Sequence, residues 1–451
     1  MSRMNTGLTS LYEAGYNRLM QIFGTSGIRF KADRSLLELA FKCGLSVGAT
    51  HRRVVVASDS RTSSPAVKSA LAAGLNASGA SFWDAGLLPT PALAYAVRDF
   101  DTGIMVTASH NPPEYNGLKF FNADGSSYSD NQKAKLEEKI SDNAINVASW
   151  EKFGNQQLLP TAAEKHTQAI LAHFPGCFPL KVVADCGGGA ASRETPILLR
   201  RMGCEVVELF CEPGGIFPRP SEPLEEHLGC LKQAVIANGA DLGFAHDGDA
   251  DRLMAVDDRG RFINGDSLLV MFAQAVNSEK VVTTVDASVV VEEQGFEVMR
   301  TPVGDNYISQ ALKDWGDFGG EPSGSWVFPR FSFCPDGLFA AAQLVAIAAE
   351  GRISLLVDSI PQYPIIRLSA RLDRELLPEI IQQLMKMAPD TVDNSDGFKL
   401  IFKNYWVLVR PSGTEPKIRF TIQSRDREQL EALCQLVIAN VNVAAGKEIL
   451  L

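Results

Sequence analysis

Three short runs of similar make constrain this chain more than any other feature: Val54-Val-Val-Ala-Ser58, Lys181-Val-Val-Ala-Asp185 and Lys280-Val-Val-Thr-Thr-Val-Asp286. Each is a mostly apolar, valine-rich run ending on a polar residue, the pattern of a buried strand. Helical spacing flanks the first of them, at residues 35–50 and at residues 65–78, the latter with Pro at its start. Gly103-Ile-Met-Val-Thr107 reads as a further buried strand. Strand and helix in alternation make a βαβ pattern and hence a largely parallel sheet. The recurrence predicts similar α/β units in tandem, and 451 residues suit about three domains by length alone.

Residues 129–142, capped by Ser129 and rich in Lys and Glu, read as a solvated helix that closes the first unit. The expected units are 1–150, 151–256 and 257–362. The last, 363–451, changes character. Residues 365–370, 397–402, 405–409 and 417–424 read as strands and 375–387 and 427–441 as helices, which makes a smaller α+β domain.

Composition narrows the partners. With 45% hydrophobic and 21% charged residues the chain reads as soluble and globular, and its net charge of −10 argues against nucleic acid or an anionic membrane as a partner. An anionic substrate would need Arg, Lys or a metal concentrated locally. Residues 1–20 lack the apolar core of a signal peptide and no apolar stretch reaches spanning length, so the cytoplasm is the expected compartment. The eight cysteines, at 43, 177, 186, 204, 211, 230, 334 and 434, show no CxxC spacing and read as reduced core residues.

The chemistry gathers in loops. Thr107-Ala-Ser-His-Asn-Pro-Pro-Glu-Tyr-Asn-Gly-Leu-Lys119 puts the hydroxyl of Ser109 at a strand-to-loop junction, with His110 beside it, Asn111 and Asn116 as donors, and Lys119 to meet an anion. Phe23-Gly-Thr-Ser-Gly-Ile-Arg29 and Ser58-Asp-Ser-Arg61 are small polar turns, each carrying an arginine. In Asp247-Gly-Asp-Ala-Asp-Arg252 an extended loop would point the three carboxylates the same way, and only a hard cation such as Mg²⁺ relieves their repulsion. A calcium-sensor loop would need Gly sixth and Glu twelfth, where this chain has Arg252 and Asp258.

Phe318-Gly-Gly-Glu-Pro-Ser-Gly-Ser325 offers Glu321 and Ser323 at a spacing suited to two hydroxyls of a sugar ring. Arg410-Pro-Ser-Gly-Thr-Glu-Pro-Lys417 combines an arginine fork, two hydroxyls and a glycine-turned backbone, a cradle for a phosphate monoester. Cys186-Gly-Gly-Gly-Ala-Ala-Ser192, with Glu208 downstream, invites a dinucleotide reading, but Ser192 stands at its sixth position and a tight turn is preferred.

In order and spacing, the 23–29, 107–112, 247–252, 320–324 and 410–414 motifs resemble those of the α-D-phosphohexomutase family, over nearly the whole chain. The resemblance implies an α/β protein of four domains around a central cleft, the first three with mixed sheets and the last a smaller α+β domain. It implies that Ser109 is phosphorylated in the resting enzyme and that Mg²⁺ binds Asp247, Asp249, Asp251 and that phosphoserine. It further implies sugar recognition by Glu321 and Ser323, and phosphate binding by Arg410, Ser412, Gly413 and Thr414.

The implied reaction interconverts hexose 6-phosphate and hexose 1-phosphate through a bisphosphorylated hexose, which also serves as activator. The partner is then a small sugar phosphate, and the protein a monomer or homodimer. Gly320 to Gly324 and Ser412 to Pro416 resemble phosphoglucosamine mutases and favour glucosamine 6-phosphate. Gly24 to Arg29 and Pro322 look more like archaeal members of mixed preference, which keeps phosphomannomutase/phosphoglucomutase as the alternative.

Many members of the family carry His where this chain has Ser325. A serine hydroxyl is no general base at neutral pH, so proton transfer falls to Lys119, with Arg29 as an electrostatic partner. Two other classes fit less well. A HAD-type phosphatase places its Asp-x-Asp on the first strand, whereas here it lies past the middle of the chain. A sugar-phosphate sensor without activity could have lost Ser109 or an aspartate, and none is lost.

Overall fold

The first valine run becomes the middle of a sheet. In the computed structural model, which describes residues 22–141, 147–411 and 417–446, strand Arg53–Ser58 lies between Thr102–Val106 and Ser81–Leu87, parallel to both. Successive side chains alternate between the two faces. Val54 and Val56 pack with Leu36, Ala40 and Leu71 of helices Arg34–Gly48 and Ser64–Ala77. Val55 and Ala57 pack on the other side with Leu93 of helix Thr90–Ala96. Burial on both faces explains the unbroken apolar run.

This sheet has seven strands and is not parallel throughout. Beyond Thr102–Val106 come Tyr115–Asn122, Gly27–Lys31 and Phe23–Gly24, all antiparallel. The reversal matters for the site, because it folds the 107–114 loop back and sets Lys119 opposite Met105. The closing helix, Asp130–Ser141, begins with a capping box: Ser129 N donates to Gln132 Oε1 (2.9 Å) and Gln132 N to Ser129 Oγ (3.4 Å).

The second valine run, Lys181–Asp185, lies between Leu242–His246 and Glu205–Leu209, parallel to both, in a five-stranded mixed sheet. The third, Lys280–Thr284, pairs in parallel with Glu297–Thr301 and Phe318–Glu321 in a four-stranded sheet whose last strand, Ser325–Val327, is antiparallel. The fourth sheet has five antiparallel strands, with helices Leu377–Leu384 and Arg427–Ala445 packed against it. The protein is thus a four-domain α/β structure with mixed sheets in its first three domains and a smaller last one.

Two strands cross the borders expected at 150/151 and 256/257. Gln156–Leu158 adds to the edge of the first sheet beside Ser81–Leu87, and Phe262–Ile263 pairs back on Leu253–Asp257 of the second. In both places the chain completes an open sheet edge before moving on. One packed core spans the second and third domains, and Trp326 Nε1 donates to Leu253 O (2.8 Å) across it. The fourth domain docks Trp406 and Leu408 on Val285, with Gln423 donating to Ser288 Oγ (2.8 Å).

All the cysteines are free, as expected, but not all are core residues: Cys177 and Cys230 are exposed and Cys211 half-buried. Among the described residues no single helix is long and apolar enough to cross a membrane.

Candidate active site

Strand Thr102–Val106 delivers the chain into a loop where Ser109 adopts φ 52°, a left-handed conformation rare for any residue but glycine. Its surroundings hold it there. Thr107 Oγ1 accepts from Ser109 N (2.9 Å) and donates to Asp59 Oδ2 (2.7 Å). The fully buried Arg61 guanidinium donates to the backbone oxygens of Ser109 and Asn111 (each 2.7 Å), Pro112 (2.6 Å) and Tyr115 (3.0 Å), and pairs with Asp59 at 3.0 Å. The Ser58-Asp-Ser-Arg61 turn is therefore the frame of the serine loop. Its arginine is spent on peptide oxygens and is not left free for a ligand.

Arg61→Met is accordingly expected to destabilise the fold by about 3 kcal/mol or more, because it strands a buried carboxylate and several buried carbonyls together. Urea denaturation measures this. A loss below about 1 kcal/mol would mean that the loop does not depend on this frame.

The first and second domains meet at Ser109. Its Oγ donates to Asp247 Oδ2 at 2.6 Å, and Ser221 Oγ donates to its carbonyl at 3.2 Å. Asp247, Asp249 and Asp251 are buried, with one ligand oxygen from each lying within 4.8 Å of the others. The loop that carries them is not extended: it turns at Ala250, φ 60°, with Ala250 N donating to Asp247 O (3.3 Å). A turn brings the carboxylates together where the sequence suggested alternation along a strand-like loop. Thr90, at the start of helix Thr90–Ala96, fastens the turn to the first domain, donating through Oγ1 to Asp249 Oδ2 (2.5 Å) and through N to Asp249 O (2.9 Å).

Lys119 Nζ donates to Asp249 Oδ2 (2.7 Å) and also to Asp251. Burial opposes its charge, but Asp249 and Asp251 outweigh burial and raise its pKa. Burial and the neighbouring aspartates push Asp247 up; burial works the same way on Asp249, where Lys119 and the Thr90 hydroxyl overcome it and hold the carboxyl at about 2. Asp249 Oδ1 and Asp251 Oδ1 are buried with no hydrogen-bond partner among the described residues. Two orphaned carboxylate oxygens beside a third acid fit a hard cation, which would satisfy both.

His110 Nδ1 lies 3.4 Å from Ser109 Oγ, and burial, aided by Arg252 and Arg29, pushes its pKa well down, so the ring is neutral. Arg29 Nη1 donates to Asn111 Oδ1 (3.1 Å). In the third domain Glu321 is buried, accepting from Gly304 N (2.6 Å) and from Ser323 Oγ (3.0 Å), while Ser323 itself is exposed. Burial, reinforced by Asp305, pushes Glu321 up to about 7. A cavity of about 260 Å³ opens beside Ser323 and Pro322, bounded also by Asp266 and Arg367.

Arg410 pairs with Asp396 (2.8 Å), whose carboxylate also accepts from Val303 N (2.9 Å), so the last domain's arginine is tied to the third domain. Ser412, Gly413 and Thr414 lie outside the described residues. Two contributors were not singled out from the sequence. Asp305, nearly buried, accepts from Ser26 Oγ and links the third domain to the 24–27 turn. Arg252 donates to Glu222 Oε1 (3.0 Å), and its backbone bridges to Ser325, binding the aspartate loop to the sugar loop. An arginine closing an Asp-x-Asp-x-Asp motif was the one available signal.

The whole assembly has known counterparts. Models of the phosphoglucomutase/phosphomannomutase alpha/beta/alpha domains I, II and III match residues 20–146, 163–260 and 264–363, and that of the C-terminal domain matches 370–439. The chain belongs to the phosphoglucomutase/phosphomannomutase family. A protein of Methanocella arvoryzae named a probable phosphoglucosamine mutase is 45% identical over 423 residues, 92% of this chain and 96% of that one. One of Methanosarcina barkeri with the same name is 43% identical, covering 90% and 96%. A crystal structure of a phosphoglucomutase/phosphomannomutase family protein from Burkholderia thailandensis superposes with TM-score 0.86 at 28% identity, covering 96% of this chain and all of that one.

Proposed function

We propose that this chain is a phosphohexomutase that interconverts hexose 6-phosphate and hexose 1-phosphate, with glucosamine as the preferred sugar. One observation carries the reading: Ser109 Oγ sits 2.6 Å from Asp247 in a buried centre where Asp249 and Asp251 each keep an oxygen free. A hydroxyl so placed carries a phosphoryl group, and the acids hold the Mg²⁺ that neutralises charge on it.

The chain's own residues account for the rest. Phospho-Ser109 gives its phosphoryl group to the free hydroxyl of the bound sugar phosphate: the new P–O bond to the sugar forms as the bond to Ser109 Oγ breaks. Lys119, an ammonium while it pairs with Asp249 and Asp251, would take the sugar hydroxyl's proton only when a cation held by those carboxylates lowers its pKa, and Ser109 recovers a proton as it is released. Glu321 and Ser323 hold sugar hydroxyls, and Arg410, with Ser412, Gly413 and Thr414, holds the phosphate that is not reacting. The bisphosphorylated sugar then turns around and returns its other phosphate to Ser109. The names of the relatives, and the resemblance of the 412–416 motif to phosphoglucosamine mutases, support glucosamine.

A coupled assay on the 6-phosphates of glucosamine, glucose and mannose, with the matching bisphosphate present, tests the assignment. Turnover highest on glucosamine 6-phosphate is the expected result. A preference for mannose or glucose would make it a phosphomannomutase/phosphoglucomutase, and phosphate release without isomerisation would overturn the mutase reading. Excess EDTA is expected to silence the enzyme and Mg²⁺ to restore it. Asp249→Asn should raise the Mg²⁺ concentration needed for half-activity at least about tenfold, since a carboxylate is lost from the ligand set. Full activity in chelator would remove the cation from the site.

A further inference from the structure

The triple-glycine turn at 187–189 takes no part in the proposed reaction, yet two cysteines flank it. Cys186 follows strand Lys181–Asp185 and is fully buried; Cys211 follows the adjacent parallel strand Glu205–Leu209 and is half-buried. Cys186 N donates to Leu209 O (3.1 Å) and Gly188 N to Phe210 O (2.7 Å), which ties the two loops together. Cys211 Sγ donates to Ala184 O at 3.4 Å, two residues before Cys186, which brings its thiol beside the Cys186 thiol. That thiol contact lowers the pKa of Cys211 and raises that of Cys186. The more accessible sulfur is thus the better nucleophile and the buried one is placed to resolve.

The far end of the same turn seats the aspartate loop. Ala190 N donates to Gly248 O (2.9 Å), and a Cβ on Gly189 would stand 2.7 Å from that oxygen, so the two backbones touch. Ser60 Oγ donates to Gly188 O (2.9 Å), joining the frame of the serine loop to the turn. Beneath Gly187 lies the Arg219 guanidinium, which pairs with Asp185 (2.9 Å) and donates to His246 O (2.7 Å). Cys186 cannot move in this packing without carrying Gly189 and Gly248 with it.

We propose that Cys186 and Cys211 form a reversible disulfide, a modification site whose closure displaces the 187–190 turn and the adjoining 247–251 loop. The Cys211 thiolate attacks one sulfur of a low-molecular-weight disulfide such as glutathione disulfide, and one external thiol leaves. Cys186 then displaces the second from the mixed disulfide, its proton passing to the departing thiolate. Two chain thiols are oxidised and one external disulfide is reduced to two thiols. The bond itself needs only the sulfurs. The loss of turnover that follows rests on the mutase reading.

The experiment treats the full chain with graded glutathione disulfide, maps cross-links by mass spectrometry under non-reducing conditions, and measures turnover before and after dithiothreitol. A Cys186–Cys211 cross-link is expected, with turnover falling about tenfold or more and recovering on reduction. Cys211→Ser and Cys211→Ala should each form no such link and keep their turnover. Exposed Cys177, close to Cys204, is an internal rival. A cross-link there and none at Cys186 would overturn the proposal, as would equal loss of turnover in the Cys211 variants. A Cys186–Cys211 link with turnover unchanged would refute the coupling to the aspartate loop. Reduced protein with no mutase turnover would count against the proposed function alone, since the map still decides the disulfide.

Discussion

Ser109→Ala is expected to abolish turnover, by at least about four orders of magnitude, while leaving the fold intact. The side chain loses one oxygen, and the backbone at φ 52° is held by the Thr107 hydroxyl and the Arg61 guanidinium, neither of which contacts Ser109 Oγ. Alanine meets the same backbone constraint as serine, so the thermal midpoint should shift little. Thr107 is the nearest hydroxyl in sequence, but its Oγ1 is engaged by Asp59 and by Ser109 N and cannot take over the phosphoryl group. Intact-mass analysis of the wild-type protein should show a partly occupied phosphate that is absent from the variant. A variant that stays active, or that keeps the phosphate, would place the phosphoryl carrier elsewhere.

That the serine could be read from the sequence and its support could not has a physical basis. A nucleophile at the end of an apolar strand, and acids spaced at i, i+2 and i+4, are local patterns, and local patterns survive in a string of letters. Arg61 belongs to a local turn, but its partners are carbonyl oxygens about fifty residues away, and a backbone acceptor leaves no mark on the identity of its residue. Asp305 opens helix Asp305–Asp314, where an acid is ordinarily explained by the helix dipole alone. Only the fold brings it to Ser26. The aspartate loop shows a similar limit, since its acids were legible while the left-handed turn at Ala250 was not, no glycine being there to announce it. The valine runs predicted strands well because burial on both faces leaves polar residues no place. They did not reveal the antiparallel half of the first sheet, whose strands Gly27–Lys31 and Tyr115–Asn122 carry Arg29 and Lys119.

The same strand, Tyr115–Asn122, carries Lys119, and Lys119→Met is expected to lower kcat by roughly two to four orders of magnitude at saturating Mg²⁺ and activator. Two losses contribute, a positioned proton carrier and a cation that pairs with Asp249 and Asp251. Lys119→Arg separates them, because guanidinium keeps the charge and holds its proton too tightly to exchange it. If proton transfer dominates, Lys119→Arg stays within about tenfold of Lys119→Met; if charge dominates, it recovers most of the activity. Ser325 supplies the contrast. It is buried in strand Ser325–Val327, its backbone pairs with Glu321 and bridges to Arg252, and alanine preserves both contacts. Ser325→Ala is therefore expected to leave kcat within about threefold across pH 6 to 9. Should Ser325→Ala be the more damaging change, or Lys119→Arg be nearly as active as the wild type, Lys119 would serve only as a charge and the proton would have to leave the sugar hydroxyl by another route.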